Sequence, residues 1–171
     1  MQTALIYDIS QVGYRDGHWF YIATAVLLFA LWLRLRQRRT GAKGMPPGFV
    51  ACMGLVLMAF GVVPLWDHHR LQGHLQAGRT QVAEGLVTSH SVEVIRKRRP
   101  GENRYDTSTW EAFRIGDVAF GFYRGDSPVG FLNSGSDTVD LHDGQYLRAH
   151  YYEDVEGDFA HRRILRLERV L

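Results

Sequence analysis

The chain has 171 residues, with 20 basic and 18 acidic side chains and a formal net charge of +2. This length suits one soluble domain, or membrane spans followed by a smaller domain. Residues 1–66 carry six basic and two acidic side chains, whereas residues 67–171 carry 14 and 16. Because the basic excess lies in the hydrophobic part, it does not indicate nucleic-acid binding, and we expect no nucleic-acid partner. With a single cysteine, Cys52, an intrachain disulfide is excluded.

A tail of residues 1–16 precedes two apolar runs. Residues 17–33 and 45–66 contain no Lys, Arg, Asp or Glu. As helices, both runs can cross a hydrocarbon core of about 30 Å if the flanking side chains extend to the interface. We therefore predict transmembrane helices at 17–35 and 45–66. Arginines follow the first run where a signal peptide would have small residues, which argues against cleavage.

Cationic side chains between the two runs predict the orientation. Loops rich in Lys and Arg stay in the cytoplasm, so the loop at 36–44 is predicted to be cytoplasmic and the C-terminal domain extracytoplasmic. We expect a multi-pass protein of the bacterial inner (cytoplasmic) membrane, with the lipid bilayer as a partner. The residues that carry this prediction are Arg34, Arg36, Arg38, Arg39 and Lys43.

Two features of the second run and its continuation concern packing. Gly54 and Gly61 are seven residues apart and share a helix face. Small residues on one face indicate a close contact between the two spans or between protomers. After the run, Leu71 and Leu75 recur at helical spacing, so residues 67–83 are predicted to form a short helix or a linker.

This segment also contains the best candidates for metal ligands, which are His68, His69 and His74. Imidazoles near a membrane surface can bind zinc or copper. However, ligands on one helix face stand three or four residues apart, and this spacing is absent among the three histidines. A solvated interfacial segment is the alternative interpretation.

The rest of the chain, residues 84–171, is predicted to be a small, mostly antiparallel β domain. Apolar residues recur at a period of two in five segments bounded by turn residues, at 86–95, 110–115, 118–123, 146–152 and 164–170. The fold class is therefore membrane α plus β, with a five-stranded domain for which an OB-like barrel is one topology. We expect four aromatic residues to be core side chains and not a stacking platform, namely Trp110, Phe113, Phe120 and Phe122.

Four strand motifs carry a resemblance to a family. They are EGLV at 84–87, WEAFRIGDVAFGF at 110–122, DGQYLRAHYY at 143–152 and ILRLE at 164–168. This order resembles an uncharacterised bacterial membrane-associated small β-domain family, whose members carry an E-S-F-x-V-x-G-V-x-F-x-Y strand pair and a closing R-L-E strand. The resemblance implies a similar fold. It implies no catalytic residue, because the family has no known activity.

One basic run within the domain is a candidate interaction patch, made of Arg96, Lys97, Arg98 and Arg99. It precedes Pro100-Gly101, so we predict a basic tip between two strands, which contacts lipid phosphates or an acidic partner, or is a solvated turn.

No hydrolase, metalloprotease, redox or nucleotide-binding motif occurs in the chain. The sequence therefore favours a non-catalytic protein without a cofactor, which presents the β domain for interaction with a protein or a membrane surface. The alternative is a membrane-bound metal-handling or hydrolytic protein that uses the three histidines or the acidic residues of the loops. The identity of the protein partner and the oligomeric state stay open.

Overall fold

The computed structural model describes residues 3–13, 17–41, 44–98, 105–125, 129–134, 138–156 and 159–170. The chain forms two compact units. Residues 13–69 make up a helical unit, and residues 1–12 together with 70–171 make up the second unit, called the β domain below. The β domain therefore draws on both ends of the sequence.

The helical parts of the two predicted spans are confirmed, and both helices run further than predicted. Helix α1 spans His18–Thr40 and helix α2 spans Pro47–Gln76. Helix α1 continues through the arginines because Arg, Leu and Gln are good helix formers and cations are favoured at a helix C-terminus. It ends at Gly41, which has a φ of 62° and donates its N–H to the carbonyl of Gln37 at 2.9 Å. The helix predicted after residue 66 is the end of α2.

Both helices are long and apolar enough to cross a membrane, judged by length and composition. In their most apolar 18-residue windows, only 11% of α1 and 17% of α2 is buried. Large apolar side chains such as Phe29, Phe60 and Val63 are exposed. At 1.5 Å per residue, the 30 residues of α2 extend about 45 Å, more than a hydrocarbon core of about 30 Å requires.

The helices contact each other at the two glycines noted in the sequence. A Cβ on Gly54 would lie 2.7 Å from Leu27 Cδ2, and one on Gly61 would lie 3.4 Å from the ring of Phe20. Only a residue without a side chain allows this approach at Gly54. The interpretation of Gly54 and Gly61 as a contact between the two helices is confirmed, and the reversed order of their partners shows an antiparallel pair.

The sheet has six antiparallel strands, in the order β1-β6-β5-β2-β3-β4. The strands are β1 (Thr3–Asp8), β2 (Gln81–Arg98), β3 (Tyr105–Ile115), β4 (Val118–Tyr123), β5 (Tyr146–Glu156) and β6 (Phe159–Val170). The prediction of five strands is wrong by one. Strand β1 lies in the predicted tail and pairs with β6, a partner at the other end of the chain that no local pattern reveals. Among the described residues the sheet is not closed into a barrel, because β1 and β4 form its edges.

The core lies on one face of the sheet, and all six strands contribute to it. The sheet folds so that Phe120 of β4 contacts Tyr151 of β5, with ring centroids 5.3 Å apart. Leu71 of α2 completes the core. The prediction of buried aromatics is confirmed for Phe113 and Phe120, which are 1% and 3% exposed.

The other two predicted core aromatics differ. Phe122 is half-buried and packs against the core. The prediction is wrong for Trp110, which lies outside the core cluster and packs against Tyr123 at 4.7 Å. Its ring covers Gly121, where a Cβ would come within 2.5 Å of it. Trp110 therefore lies flat over the neighbouring strand because position 121 has no side chain.

Candidate functional site

The most exposed part of the sheet is the outer end of β2 and β3. Strand β5 pairs with β2 only from Gln81 to Leu86, and β4 pairs with β3 only from Trp110 to Ile115. Beyond these points β2 and β3 pair only with each other, up to Arg98 opposite Tyr105. We call residues 92–98 and 105–109 the arm, which is two-stranded from Val94 opposite Thr109 onwards. A two-stranded hairpin is marginally stable in water, so the arm depends on its base.

The basic residues predicted to form an interaction patch lie on this arm. Arg96, Lys97 and Arg98 are the last three residues of β2, and all three are exposed. Arg99 lies outside the described residues. Successive side chains of a strand point to opposite faces, so Arg96 and Arg98 share one face and Lys97 lies on the other.

The two faces of the arm differ in composition. The face with Arg96 and Arg98, called the arginine face, also carries Val92, Val94, Tyr105, Thr107 and Thr109. Val94 is 55% exposed and Tyr105 is 62% exposed. Within the described arm this face has no carboxylate, whereas the opposite face carries Glu93, Ile95, Lys97, Asp106 and Ser108. Both faces of the arm therefore carry apolar side chains, but the charge is basic on one face and mixed on the other.

A buried carboxylate supports the base of the arm. Glu111 of β3 is 0% exposed, and its Oε2 accepts a hydrogen bond of 2.8 Å from Nε of Arg124. Asn133 donates to both carboxylate oxygens at 3.0 Å. Nε2 of His90 lies 2.9 Å from Oε1 and must donate, because an ionised carboxylate only accepts. All four side chains thus form one network.

The electrostatics of this network favour the ionised carboxylate. Burial alone would raise the pKa of Glu111, but hydrogen bonds from Arg124, His90 and Asn133, together with the charge of Arg124, outweigh it and lower the pKa. The network also extends into the β4–β5 connection. Oδ1 of Asn133 accepts the N–H of Val139 at 2.7 Å. With both oxygens of Glu111 engaged, the arrangement orients the arm and offers no free base.

Sequence reasoning did not identify this network. Its one local signal is the position of Glu111, which alternates in phase with the buried residues Phe113 and Ile115. A carboxylate at an inward position needs a partner. The partners come from the β2 bulge and from loops, where Asn133 has a positive φ of 45°. A strand pattern does not predict such positions.

A cleft of about 330 Å³, lined by both polar and apolar side chains, lies elsewhere in the β domain. His150, Arg166 and Asp8 form a row across β5, β6 and β1, and all three line the cleft. Nε of Arg166 lies 2.7 Å from Oε1 of Glu168 and 3.7 Å from Oδ2 of Asp8. Oδ1 of Asp8 accepts the N–H of Ser10 at 2.7 Å.

Burial and the charge of Arg166 lower the pKa of His150, and the carboxylates of Glu168 and Asp8 only partly oppose this effect. These effects favour the neutral form of the imidazole. A neutral imidazole beside paired charges can donate and accept hydrogen bonds, so the cleft can hold a small polar molecule or water. Sequence reasoning missed this group because Asp8 lies in a segment predicted to be a tail.

The three histidine candidates form no metal site in the part of the chain that the structure describes. No group of three or more His, Cys, Asp or Glu side chains there is placed to hold a metal ion. The rings of His68 and His69 meet edge-on at 5.8 Å, and His74 stacks on Tyr152 at 4.6 Å. Asp154, an acidic residue expected in a loop, lies in strand β5 and pairs with Arg70 and Arg163.

The residues that predict the orientation lie mostly on α1. Its C-terminal turns carry Arg34, as predicted, and also Arg36, Arg38 and Arg39, for which the sequence predicts a loop. The guanidinium carbon of Arg36 lies 5.3 Å from the ring centroid of Trp32. Lys43 lies outside the described residues. The cationic cluster is thus held at one end of a helix.

Neither family models, nor curated proteins, nor solved structures give a match to this chain. These comparisons give no relative that shares the strand motifs at 84–87 and 110–122, so the resemblance stays an expectation about fold. What the protein does has to be inferred from its own residues.

Proposed function

We propose that this chain is a non-catalytic two-pass membrane protein that presents its β domain for interaction with a protein or a membrane surface in the bacterial envelope. One observation carries the proposal. Strand β1, which precedes α1, pairs with β6, which follows α2, from Thr3 opposite Val170 to Asp8 opposite Arg166. Hydrogen-bonded strands must lie on the same side of a membrane, and only an even number of crossings between them allows this.

The two helices supply that even number. If α1 alone crossed, β1 and β6 would be on opposite sides of the bilayer. If α1 were a cleaved signal peptide, the β domain would lose β1 together with Tyr7 of its core. The exposed apolar side chains of both helices are what a lipid-facing surface requires. Each of these points supports a pair of spanning helices that returns the chain to its starting side.

The arginines of α1 support the proposed orientation. Four of them occupy its C-terminal turns, and short basic segments beside a span stay in the cytoplasm. The β domain is then extracytoplasmic. On that side the β domain presents an exposed surface for contact, because both faces of the arm are exposed and Glu111 supports its base.

Two measurements test this proposal together. After alkaline carbonate extraction the protein should stay in the membrane pellet, and a reporter that is active only outside the cytoplasm should be active when fused after Leu171. A matched variant with Arg34, Arg36, Arg38 and Arg39 changed to glutamine should stay in the pellet and lose part of the reporter activity. Release by carbonate contradicts the anchor, and an inactive wild-type fusion contradicts the orientation.

The competing hypothesis of a metal-handling protein has its own test. If it holds, detergent-purified protein should contain stoichiometric zinc or copper. The metal should then be lost in a variant with His69→Ala and His74→Ala. Absence of bound metal in the wild type, after incubation with either ion, favours the interaction module.

A further inference from the structure

We propose that the arginine face of the arm lies against an anionic lipid surface. This inference rests on the proposed function, since it needs a β domain that is tethered to a bilayer. Of the two kinds of interaction, with a protein or with a membrane surface, the arm makes the second. The side chains that make this contact are Val92, Val94, Arg96, Arg98 and Tyr105.

The composition of this face matches a membrane interface. Arginine heads pair with phosphates while their stems cover apolar surface. Tyrosine is enriched at the level of the headgroups, because its ring is apolar and its hydroxyl is polar. Tyr105 stands directly opposite Arg98, and Val94 lies two positions before Arg96 on the same strand. Cation, aromatic ring and aliphatic side chain thus occur together on one side of the ribbon.

The distribution of carboxylates points the same way. Glu93 and Asp106 are both on the opposite face, where they would stay in water. A carboxylate on the arginine face would be repelled by an anionic surface. Among the described residues of β2 and β3, the only acidic residue in register with that face is Glu111, and it is fully buried and paired with Arg124. A hairpin that is merely solvated has no need for such segregation.

The size of the face favours lipid over a protein. Seven residues at about 3.3 Å each, on two strands, give a surface roughly 23 Å long and 10 Å wide, or about 230 Å². A stable protein interface buries about 800 Å² per partner. A lipid contact needs no such area here, because α2 belongs to the same chain and the arm begins at residue 92, sixteen residues after α2 ends at Gln76. This tether raises the effective concentration of the bilayer.

The experiment uses the full chain with Cys52→Ser, reconstituted in vesicles of zwitterionic lipid or of zwitterionic lipid with added anionic phospholipid. A nitroxide is attached either at Thr107→Cys, on the arginine face, or at Ser108→Cys, on the opposite face. Both positions are exposed, uncharged and adjacent, so the two labels are matched. Collision rates with oxygen and with a water-soluble nickel chelate report whether each label lies in lipid or in water.

In anionic vesicles the label at 107 should gain oxygen collisions and lose nickel collisions, whereas the label at 108 should stay aqueous. In zwitterionic vesicles both labels should stay aqueous. Each of Arg96→Gln and Arg98→Gln should lower the ratio of lipid-associated to free arm about fivefold. Lys97→Gln, which removes the same charge from the other face, should lower it less.

An aqueous label at 107 in anionic vesicles overturns the proposal. If that label is protected only in native membranes that contain other proteins, an acidic protein covers the face, and the lipid proposal is equally overturned. Failure of the anchor is seen separately, because the protein would then not float with vesicles of either composition.

Discussion

Replacing Glu111 by glutamine should loosen the base of the arm. The carboxylate accepts from Arg124 at 2.8 Å, from His90 at 2.9 Å and from Asn133 at 3.0 Å. Glutamine keeps one accepting oxygen and turns an NH₂ group towards donors. A hydrogen bond to a charged group contributes about 1.5 to 3 kcal/mol. Because Arg124 keeps a third of its side chain exposed and stays partly hydrated, we expect a total loss of about 2 to 4 kcal/mol.

Hydrogen–deuterium exchange of the full chain in detergent measures this loss separately from the helices. At 1.4 kcal/mol per factor of ten, amides of β2 and β3 that exchange through this opening should do so roughly 30 to 700 times faster. Glu84→Gln is the matched control, because Glu84 pairs with Arg148 at 2.7 Å but in an exposed position. Water replaces such a pair, and exchange should stay close to wild type. Equal effects of the two variants would refute the role given to burial.

Three further predictions concern the core, the first strand and acid stability. Phe120→Ala should cost the β domain about 3 to 5 kcal/mol and lower its melting temperature more than Phe122→Ala; an unchanged melting temperature contradicts a core position. Deleting residues 3–8 should speed amide exchange in β6, the strand that β1 covers, and a β6 that stays protected contradicts the pairing. The lowered pKa of His150 means that the unfolded chain binds more protons, so this contribution to stability is present above the ordinary histidine pKa of about 6.5 and is lost as the pH falls below it. His150→Asn should flatten the dependence of stability on pH between about 7 and 5, and an identical slope would show that another group titrates.

The helices could be predicted because a long run without charges is a strong local signal. The ends of the helices could not be predicted in this way. The charge of the arginines after residue 33 predicts a loop for most of them, yet their helix propensity and the helix dipole carry α1 to Thr40. Strands β2 to β6 could be predicted because the alternation of apolar residues and the turn residues are also local signals.

The groups that are assembled from distant parts of the chain could not be predicted. Strand β1 has six residues, and its partner lies beyond both helices. Because β1 could not be predicted, the cleft around Asp8, His150 and Arg166 could not be predicted either. The partners of Glu111 are set by a bulge and by a loop residue with positive φ, and these depend on tertiary structure.

The most direct test of the two-pass account is cysteine accessibility in intact spheroplasts. In a Cys52→Ser background, a single cysteine replaces either Asp143, in the β domain, or Gly44, between the helices. A maleimide that does not cross membranes should label position 143 at once and position 44 only after lysis. Labelling of position 44 in intact cells, or protection of position 143, would contradict the account.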